Sequence, residues 1–407
     1  MSAAGCSASA AARLDPRHPP FPSPYPTVDA PAGTRGQTQR VLAQPGPRPW
    51  QRYAQRFMSM DTDTPFWPPL LSKLIRGEEL TADEAGGALA TILEGRATPA
   101  QIAGFAVLLR AKGETPAEMA ALVRTMLAYA ERVDVAGPLL DTCGTGGDRS
   151  CTINVSTLAA FVAAGAGARV AKHGNRSASS ACGSADLLER LGVAVDLGPV
   201  GVARCIDEVG IGFCYAPRYH PALRHAGPVR ADLGVPTTFN FLGPLANPAG
   251  ARRQTIGVGD AAMAERMVAT LVELGTERAL VFFGHDGLDE LTTTTTSAVW
   301  EVIGAEVHFW NLDPTELGIP LAVPEDLVGG DPTANARLGR AVLDGDAGPQ
   351  RDIVVLNAGA ALVAAGVVED LAAGVEAASA SLDGGRAAAA LDQLVKVSQE
   401  AAAEAAG

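Results

Sequence analysis

Between residues 66 and 132 apolar residues recur at helical spacing, as in Leu108, Leu109, Met119, Leu122, Met126 and Leu127, the pattern of helices with one buried face. Their boundaries are written in the polar residues between. Residues 66–75 read as a short helix, and Thr81-Ala82-Asp83-Glu84 opens a second with an N-cap threonine and an acidic first turn. Thr98-Pro99-Ala100-Gln101 and Thr115-Pro116-Ala117-Glu118 open two more, each with proline at the first helical position and a Gln or Glu completing a capping box. From Leu139 the pattern changes to short apolar runs alternating with helical stretches. Strands are read at 170–172, 211–214 and, most clearly, 279–283; helices at 185–191, closed by Gly192, at 202–209, closed by Gly210, and at 261–274. Residues 298–310 read as a hairpin, and helices at about 351–377 and 384–403 close the chain. This alternation predicts a largely parallel sheet with ligands at the carboxyl ends of its strands. The expected fold class is therefore α/β: a small all-helical domain over 58–132, joined by a later helical segment near 220–235, and a large α/β domain over 133–407 with a mostly parallel central sheet.

Residues 1–57 stand apart. They hold seven Arg, no Lys and two acids, a net +5 against −18 for the remainder, and runs such as Phe21-Pro22-Ser23-Pro24-Tyr25-Pro26 form neither helix nor central strand. This stretch is read as disordered, either transit-peptide-like or a non-functional extension upstream of a start at Met58 or Met60. The length of 407 residues suits two domains. A net charge of −13 argues against a protein that holds nucleic acid by its overall field. The six cysteines show no Cys-x-x-Cys spacing and are read as reduced thiols, Cys143, Cys151 and Cys182 being either functional or small buried filler. Nothing reaches the roughly 18 uninterrupted apolar residues of a membrane span, so a soluble, cytoplasmic protein is expected.

The candidate chemistry lies in Asp141 to Ser180. Gly144-Thr145-Gly146-Gly147-Asp148 puts three glycines within four residues, so that backbone N–H groups can face one concavity as an anion cradle. Asn154, Ser156 and Thr157 follow at a helix start, whose N–H groups lack intrahelical partners and favour a phosphate oxygen. Lys172 and Arg176 bracket His173-Gly174-Asn175 on a second loop and supply positive charge for phosphates; Ser177, Ser179 and Ser180 extend the anion site. His173 either moves protons or positions a ligand. Asp289-Glu290, after the strongest strand, form either a solvated turn or part of a site for a hard cation such as Mg²⁺, which takes one or two carboxylates together with substrate phosphates. Arg230 is either a surface residue or, if its helix faces the cleft, a carboxylate clamp. The segment 239–248 reads as rigid and turn-rich.

In the order and spacing of Gly144-Thr145-Gly146-Gly147-Asp148, Asn154-Val155-Ser156-Thr157, Lys172-His173-Gly174-Asn175-Arg176 and Asp289-Glu290, the chain from about Pro65 onward resembles the anthranilate phosphoribosyltransferases. The resemblance implies a homodimer that joins anthranilate to 5-phosphoribosyl 1-diphosphate in tryptophan biosynthesis, using Mg²⁺, two ions being expected. It implies diphosphate contacts at Gly144, Gly147, Asp148, Thr152, Asn154, Ser156, Thr157, Lys172, His173, Gly174, Asn175, Arg176, Ser177, Ala178, Ser179, Ser180 and Ser184. It further implies metal ligation by Ser156, Asp289 and Glu290, and anthranilate contacts at Gly144, Asn175 and Arg230 with His173 lining the site. Arg149, Cys182 and Ala231 depart from the family's usual residues. Two rivals stay open: a pyrimidine-nucleoside phosphorylase, which shares the fold and uses inorganic phosphate, and a non-catalytic relative that binds nucleotides or nucleic acid, which would show eroded acids and a basic cleft.

Overall fold

The computed structural model describes residues 66–148, 150–177 and 181–406. The expectation for residues 1–57, and the positions Arg149, Ala178, Ser179 and Ser180, lie outside them. Four helices come first: α1 (Trp67–Ile75), α2 (Ala82–Leu93), α3 (Pro99–Lys112) and α4 (Pro116–Ala128). Thr81, Thr98 and Thr115 each accept the N3 backbone N–H while Glu84, Gln101 and Glu118 reach back to the cap, so the capping boxes form as read. Each such cap is worth about 1 kcal/mol, because it satisfies N–H groups that the helix itself cannot.

The second part is built on a seven-stranded sheet of order β3-β2-β1-β4-β5-β6-β7. Its strands are β1 (Leu140–Gly144), β2 (Val170–Gly174), β3 (Ile211–Tyr215), β4 (Arg253–Gly257), β5 (Arg278–Gly284), β6 (Ser297–Ile303) and β7 (Glu306–Leu312). β1 to β5 pair in parallel, and the β6–β7 hairpin continues the sheet antiparallel to β5. Helix α5 (Val155–Gly165) connects β1 to β2; α6 (Ser184–Arg190) and α7 (Pro199–Val209) connect β2 to β3. Short helices α8 (Ala216–Tyr219), α9 (Gly227–Leu233) and α10 (Phe239–Leu242) follow, then α11 (Ala261–Leu274) between β4 and β5, and finally α12 (Pro332–Leu343), α13 (Pro349–Ala365), α14 (Leu371–Asp383) and α15 (Arg386–Ala406).

Three readings need correction. The stretch expected to be one helix over 351–377 is two, because Gly366 takes φ +69° as the C-cap of α13 and Asp370 caps α14 by accepting the Ala373 N–H. Helix α7 begins at Pro199, three residues before its apolar stripe. Strand β4 was not anticipated at all: its Arg253-Gln254-Thr255 start looks polar, yet Gln254 is buried with its Nε2 donating to the Pro244 carbonyl at 2.9 Å.

Two apolar clusters hold these elements. One packs α5, α13, α14 and α15 on the sheet around Leu158, Phe161, Val170 and Leu356; burying Phe161 alone is worth roughly 1.5–3 kcal/mol. The other runs continuously from the helical domain (Leu89, Phe105, Met119, Leu122) through Met263, Met267 and Leu271 of α11 to Ile256 and Val281 of β4 and β5. Ala226 and Val229, from the segment around α9, belong to this second cluster. Strand order reverses between β1 and β4, so the crevice beyond the ends of these two strands is where a parallel sheet places its ligand.

Candidate active site

Both strands at the reversal end in glycine for a steric reason. A Cβ on Gly144 would lie 2.2 Å from Asp289 Oδ2, and one on Gly257 only 1.6 Å from the Asp289 carbonyl oxygen. The loop beyond β1 is then fastened to its neighbours: the Thr145 N–H donates to the Gly257 carbonyl at 2.9 Å, and the Gly146 N–H donates to Asp289 Oδ2 at 2.6 Å. Gly146 and Gly147 have φ of +67° and +89°, a region glycine enters without strain. The glycine cluster and Asp289-Glu290, more than a hundred residues apart in sequence, thus form one surface.

Glu290 lies across the start of α5, where its Oε1 accepts the Ser156 N–H at 3.2 Å. Lys172, buried on β2, donates to the Thr142 carbonyl at 2.6 Å and to Ser156 Oγ at 3.3 Å. Thr157 Oγ1 and Ser184 Oγ are 3.1 Å apart, and Thr152 bridges to Val328. Asn154 stands at the N-cap position of α5 without a side-chain capping bond; its Nδ2 donates to the Cys182 carbonyl at 3.1 Å, and its Oδ1 is buried with no partner. An orphaned acceptor next to the cradle is costly unless a ligand donor reaches it.

Charge in this surface is poised for a cation. Burial raises the pKa of Asp289 and of Glu290 above the ordinary carboxylate range, and the negative charges of Asp148 on Asp289, and of Asp289 on Glu290, push it further. Burial lowers that of Lys172, against the pull of Asp141. Two desolvated carboxylates side by side fit a divalent ion, which would replace the protons they otherwise retain. Among the described residues no group of three or more His, Cys, Asp or Glu side chains could hold a metal alone. An ion held by these two carboxylates would need further oxygens from outside such a cluster, as Mg²⁺ usually takes from substrate and water.

On the other wall, His173 Nδ1 lies 3.2 Å from the Gly243 carbonyl, so Nδ1 carries the proton and Nε2, buried without a partner, presents a lone pair. Burial, reinforced by His220 with its ring centroid 5.1 Å away, pushes the His173 pKa down to about 3. The ring is neutral at physiological pH. Asn175 is exposed, its Oδ1 accepting the Arg176 N–H. Arg176 forks onto Glu189 at 2.6 and 2.7 Å and reaches Asp186 at 2.9 Å, so both loop cations are already partnered. Asp186 also accepts the Ser177 and Gly183 N–H groups. Arg230 is half-buried on α9, its guanidinium 5.8 Å from the Phe239 ring centroid, and no carboxylate pairs with it among the described residues.

Residues 68–130 match the helical bundle domain of the glycosyl transferase family, and residues 136–388 match its α/β domain. The chain is 54% identical over 338 residues to an anthranilate phosphoribosyltransferase of Thermobifida fusca, covering 82% of this chain and 97% of that one. The chain belongs to the anthranilate phosphoribosyltransferase family. A second relative, from an Arthrobacter species, is 52% identical over 82% of this chain and 96% of its own. Among solved structures, the anthranilate phosphoribosyltransferase of Thermus thermophilus superposes with a TM-score of 0.77 at 44% identity, over 81% of this chain and 99% of that one. That of Saccharomyces cerevisiae, in complex with PRPP and Mg, superposes with a TM-score of 0.75 at 26% identity, over 82% and 97%.

Against other anthranilate phosphoribosyltransferases, the departure at Cys182 is a buried side chain, while Ala231 is exposed beside Arg230. Cys143 packs beneath the cradle with Sγ 3.8 Å from the Pro244 carbonyl, and burial raises its thiol pKa well above the ordinary value, which makes it filler and no nucleophile. Sequence reading passed over Asp141 as a site residue. It is fully buried, accepting the His173 N–H at 3.0 Å and Asn247 Nδ2 at 2.8 Å, and so holds the second loop to the first. An acid directly after Leu139-Leu140 in an apolar strand was the available signal.

Proposed function

We propose that this protein transfers the phosphoribosyl group of 5-phosphoribosyl 1-diphosphate to the amine of anthranilate, releasing diphosphate and forming N-(5-phosphoribosyl)anthranilate, in tryptophan biosynthesis. The observation that carries this reading is the junction at the strand-order reversal, where the glycine loop closes directly onto Asp289 while Glu290 meets the start of α5 at Ser156, in a member of this family.

The C1–O bond of the ribose breaks with its electrons leaving on diphosphate, C1 gains oxocarbenium character, and the amine lone pair forms the new C1–N bond before nitrogen sheds a proton. An aniline nitrogen keeps its lone pair free at neutral pH, so no strong base is required. What the chain must supply is position and charge. The N–H groups of Gly147 and Asp148 and the start of α5, with Thr152, Ser156, Thr157 and Lys172, hold the leaving diphosphate. Gly174, Arg176, Ser177 and Ser184 extend that anion surface. Asn154 Oδ1 accepts a hydroxyl of the sugar. Asp289, Glu290 and Ser156 hold magnesium, two ions in our reading; when bound it supplies the positive charge that stabilises the departing diphosphate. Arg230 clamps the anthranilate carboxylate, with Gly144, Asn175 and the neutral His173 beside the ring.

Ile75 and Val107, 69% and 41% exposed on α1 and α3, offer an apolar face to a second copy, and we propose a homodimer. No helix of the described residues is long and apolar enough to cross a membrane; we propose a cytoplasmic enzyme. Incubation with anthranilate, 5-phosphoribosyl 1-diphosphate and Mg²⁺ should extinguish anthranilate fluorescence. Unchanged fluorescence together with phosphate-dependent cleavage of pyrimidine nucleosides would instead establish the phosphorylase, and no turnover of either substrate would leave the non-catalytic relative.

A further inference from the structure

A charge network centred on one buried carboxylate, with partly exposed guanidinium partners, lies behind the acceptor wall, outside every contact assigned above. Glu114, in the turn between α3 and α4, has a side chain with no exposure. Its Oε2 faces Arg110 Nη1 and Arg266 Nη1, each at 3.3 Å, and its Oε1 accepts the Thr238 hydroxyl at 2.5 Å. Arg110 also pairs with Asp260 at 2.9 Å, the residue that caps α11. Arg266 lies on α11 itself, against Gly113, where a Cβ would meet Nη2 at 3.1 Å. One carboxylate of the helical domain therefore receives two guanidinium groups and a hydroxyl drawn from three separate stretches of chain.

The hydroxyl is the informative partner. Thr238 is buried and is the N-cap residue of α10. Phe239, the next residue, lies under the Arg230 guanidinium. Phe241 is gripped by Arg110, whose guanidinium carbon is 5.0 Å from its ring centroid. Gly243, immediately after α10, presents the carbonyl that fixes the His173 tautomer. A helix of four residues has no rigidity of its own. Its placement is decided by what holds it, and the Glu114 network holds it at both Thr238 and Phe241.

Stability is a poor explanation for such an arrangement. Buried ion pairs recover little more than their desolvation cost, and apolar replacements of similar shape serve a core as well. They do impose one geometry, because a displaced partner leaves a charge unpaired in a dry site. We infer that Glu114 is a positioning residue for the acceptor substrate: through Thr238 it sets α10, and α10 sets Arg230 and His173, so that docking of the helical domain on α11 and aim of the carboxylate clamp are one event. This rests on the reading of Arg230 as the anthranilate clamp.

Steady-state kinetics on the full chain test it with Glu114→Gln, Thr238→Val, Thr238→Ser and, as a separate control on the reading beneath it, Arg230→Ala. Thr238→Val removes one hydroxyl at nearly constant volume, so it folds even if Glu114→Gln does not. The expected result is an anthranilate KM raised on the order of tenfold in Glu114→Gln and Thr238→Val, as small misplacements of a positioning group produce, with the KM for 5-phosphoribosyl 1-diphosphate within about twofold of the parent and Thr238→Ser close to the parent in both. A rise in both KM values together, or a lowered Tm with both KM values unchanged, overturns the proposal while a raised anthranilate KM in Arg230→Ala keeps the clamp. If Arg230→Ala leaves anthranilate KM unchanged, the clamp reading falls and the positioning role falls with it.

Discussion

At the scale of single residues, the site separates groups that carry charge from groups that carry shape. Asp289 and Glu290 are buried acids with raised pKa values, and the proposed reaction assigns them to the leaving-group half. His173, neutral with a pKa near 3, does not trade protons at working pH. Asp289→Asn combined with Glu290→Gln should therefore lower kcat by at least about 100-fold, as loss of electrostatic stabilisation does, and His173→Ala by no more than about tenfold. Equal losses in the same steady-state assay would defeat this division of roles. The buried imidazoles also leave a mark on stability. His173 and His220 have folded pKa values depressed to about 3 and about 4 from 6.5, through burial above all. The unfolded chain takes up their protons first, so their contribution is full above pH 6.5 and is lost as pH falls from there through 4. Asp141, raised by burial to about 6, runs in the opposite sense, so a difference between variants isolates the effect. His220→Gln retains a donor for the Ala246 carbonyl, 3.0 Å from Nε2. Urea denaturation should show the parent losing about 1.4 kcal/mol per pH unit relative to this variant between pH 6.5 and 4.5; parallel profiles would show that His220 is not held neutral. Of these residues, glycines, acids and lysine were readable from type and spacing. Asp141 was marked only by its place directly after Leu139-Leu140, and Glu114 not at all, because a buried acid and a surface acid look alike in a sequence.

At the scale of elements, the ends of strands matter more than their middles. β1 and β4 stop in glycines that let the Asp289 backbone and carboxylate come within contact of the sheet. Gly257→Ala adds one methyl group where the Asp289 carbonyl already lies, so Asp289 must move. We expect kcat/KM for 5-phosphoribosyl 1-diphosphate to drop by about 100-fold while the circular dichroism spectrum keeps its shape; parent-like kinetics would show that the strand end tolerates a side chain. The helix boundaries in the first domain were legible because capping is local: a threonine and a Glu or Gln three residues on contain the whole signal. β4 was not legible, since its polar side chains are satisfied by residues such as Pro244 that only folding brings near. The break at Gly366 was likewise hidden inside a continuous apolar run, with a single glycine and Asp370 to mark it.

At the scale of the whole molecule, the helical domain and α11 share one apolar cluster that reaches β4 and β5, so the acceptor wall is built on a joint between domains. The homodimer proposed above would bury the exposed apolar residues Ile75 and Val107 of α1 and α3. Ile75→Asp with Val107→Asp should convert a dimer to a monomer in sedimentation velocity, since two buried charges cost more than the apolar contact they replace; an unchanged sedimentation coefficient would move the interface elsewhere. By itself, the sequence determined most of the helices and strands, β4 and the break at Gly366 excepted, with the glycine cradle, the acids and the family, all of which rest on side-chain type, local spacing and backbone chemistry. Only the tertiary structure decided that Asp289 and Glu290 close onto Gly144 and Ser156, that Arg176 is already paired, that Arg230 is not, and that Glu114 stands behind the acceptor wall. Arg176 apart, whose partners lie little more than ten residues on, these depend on which side chains meet across more than a hundred residues of chain, and on which of them are shut away from water when they do.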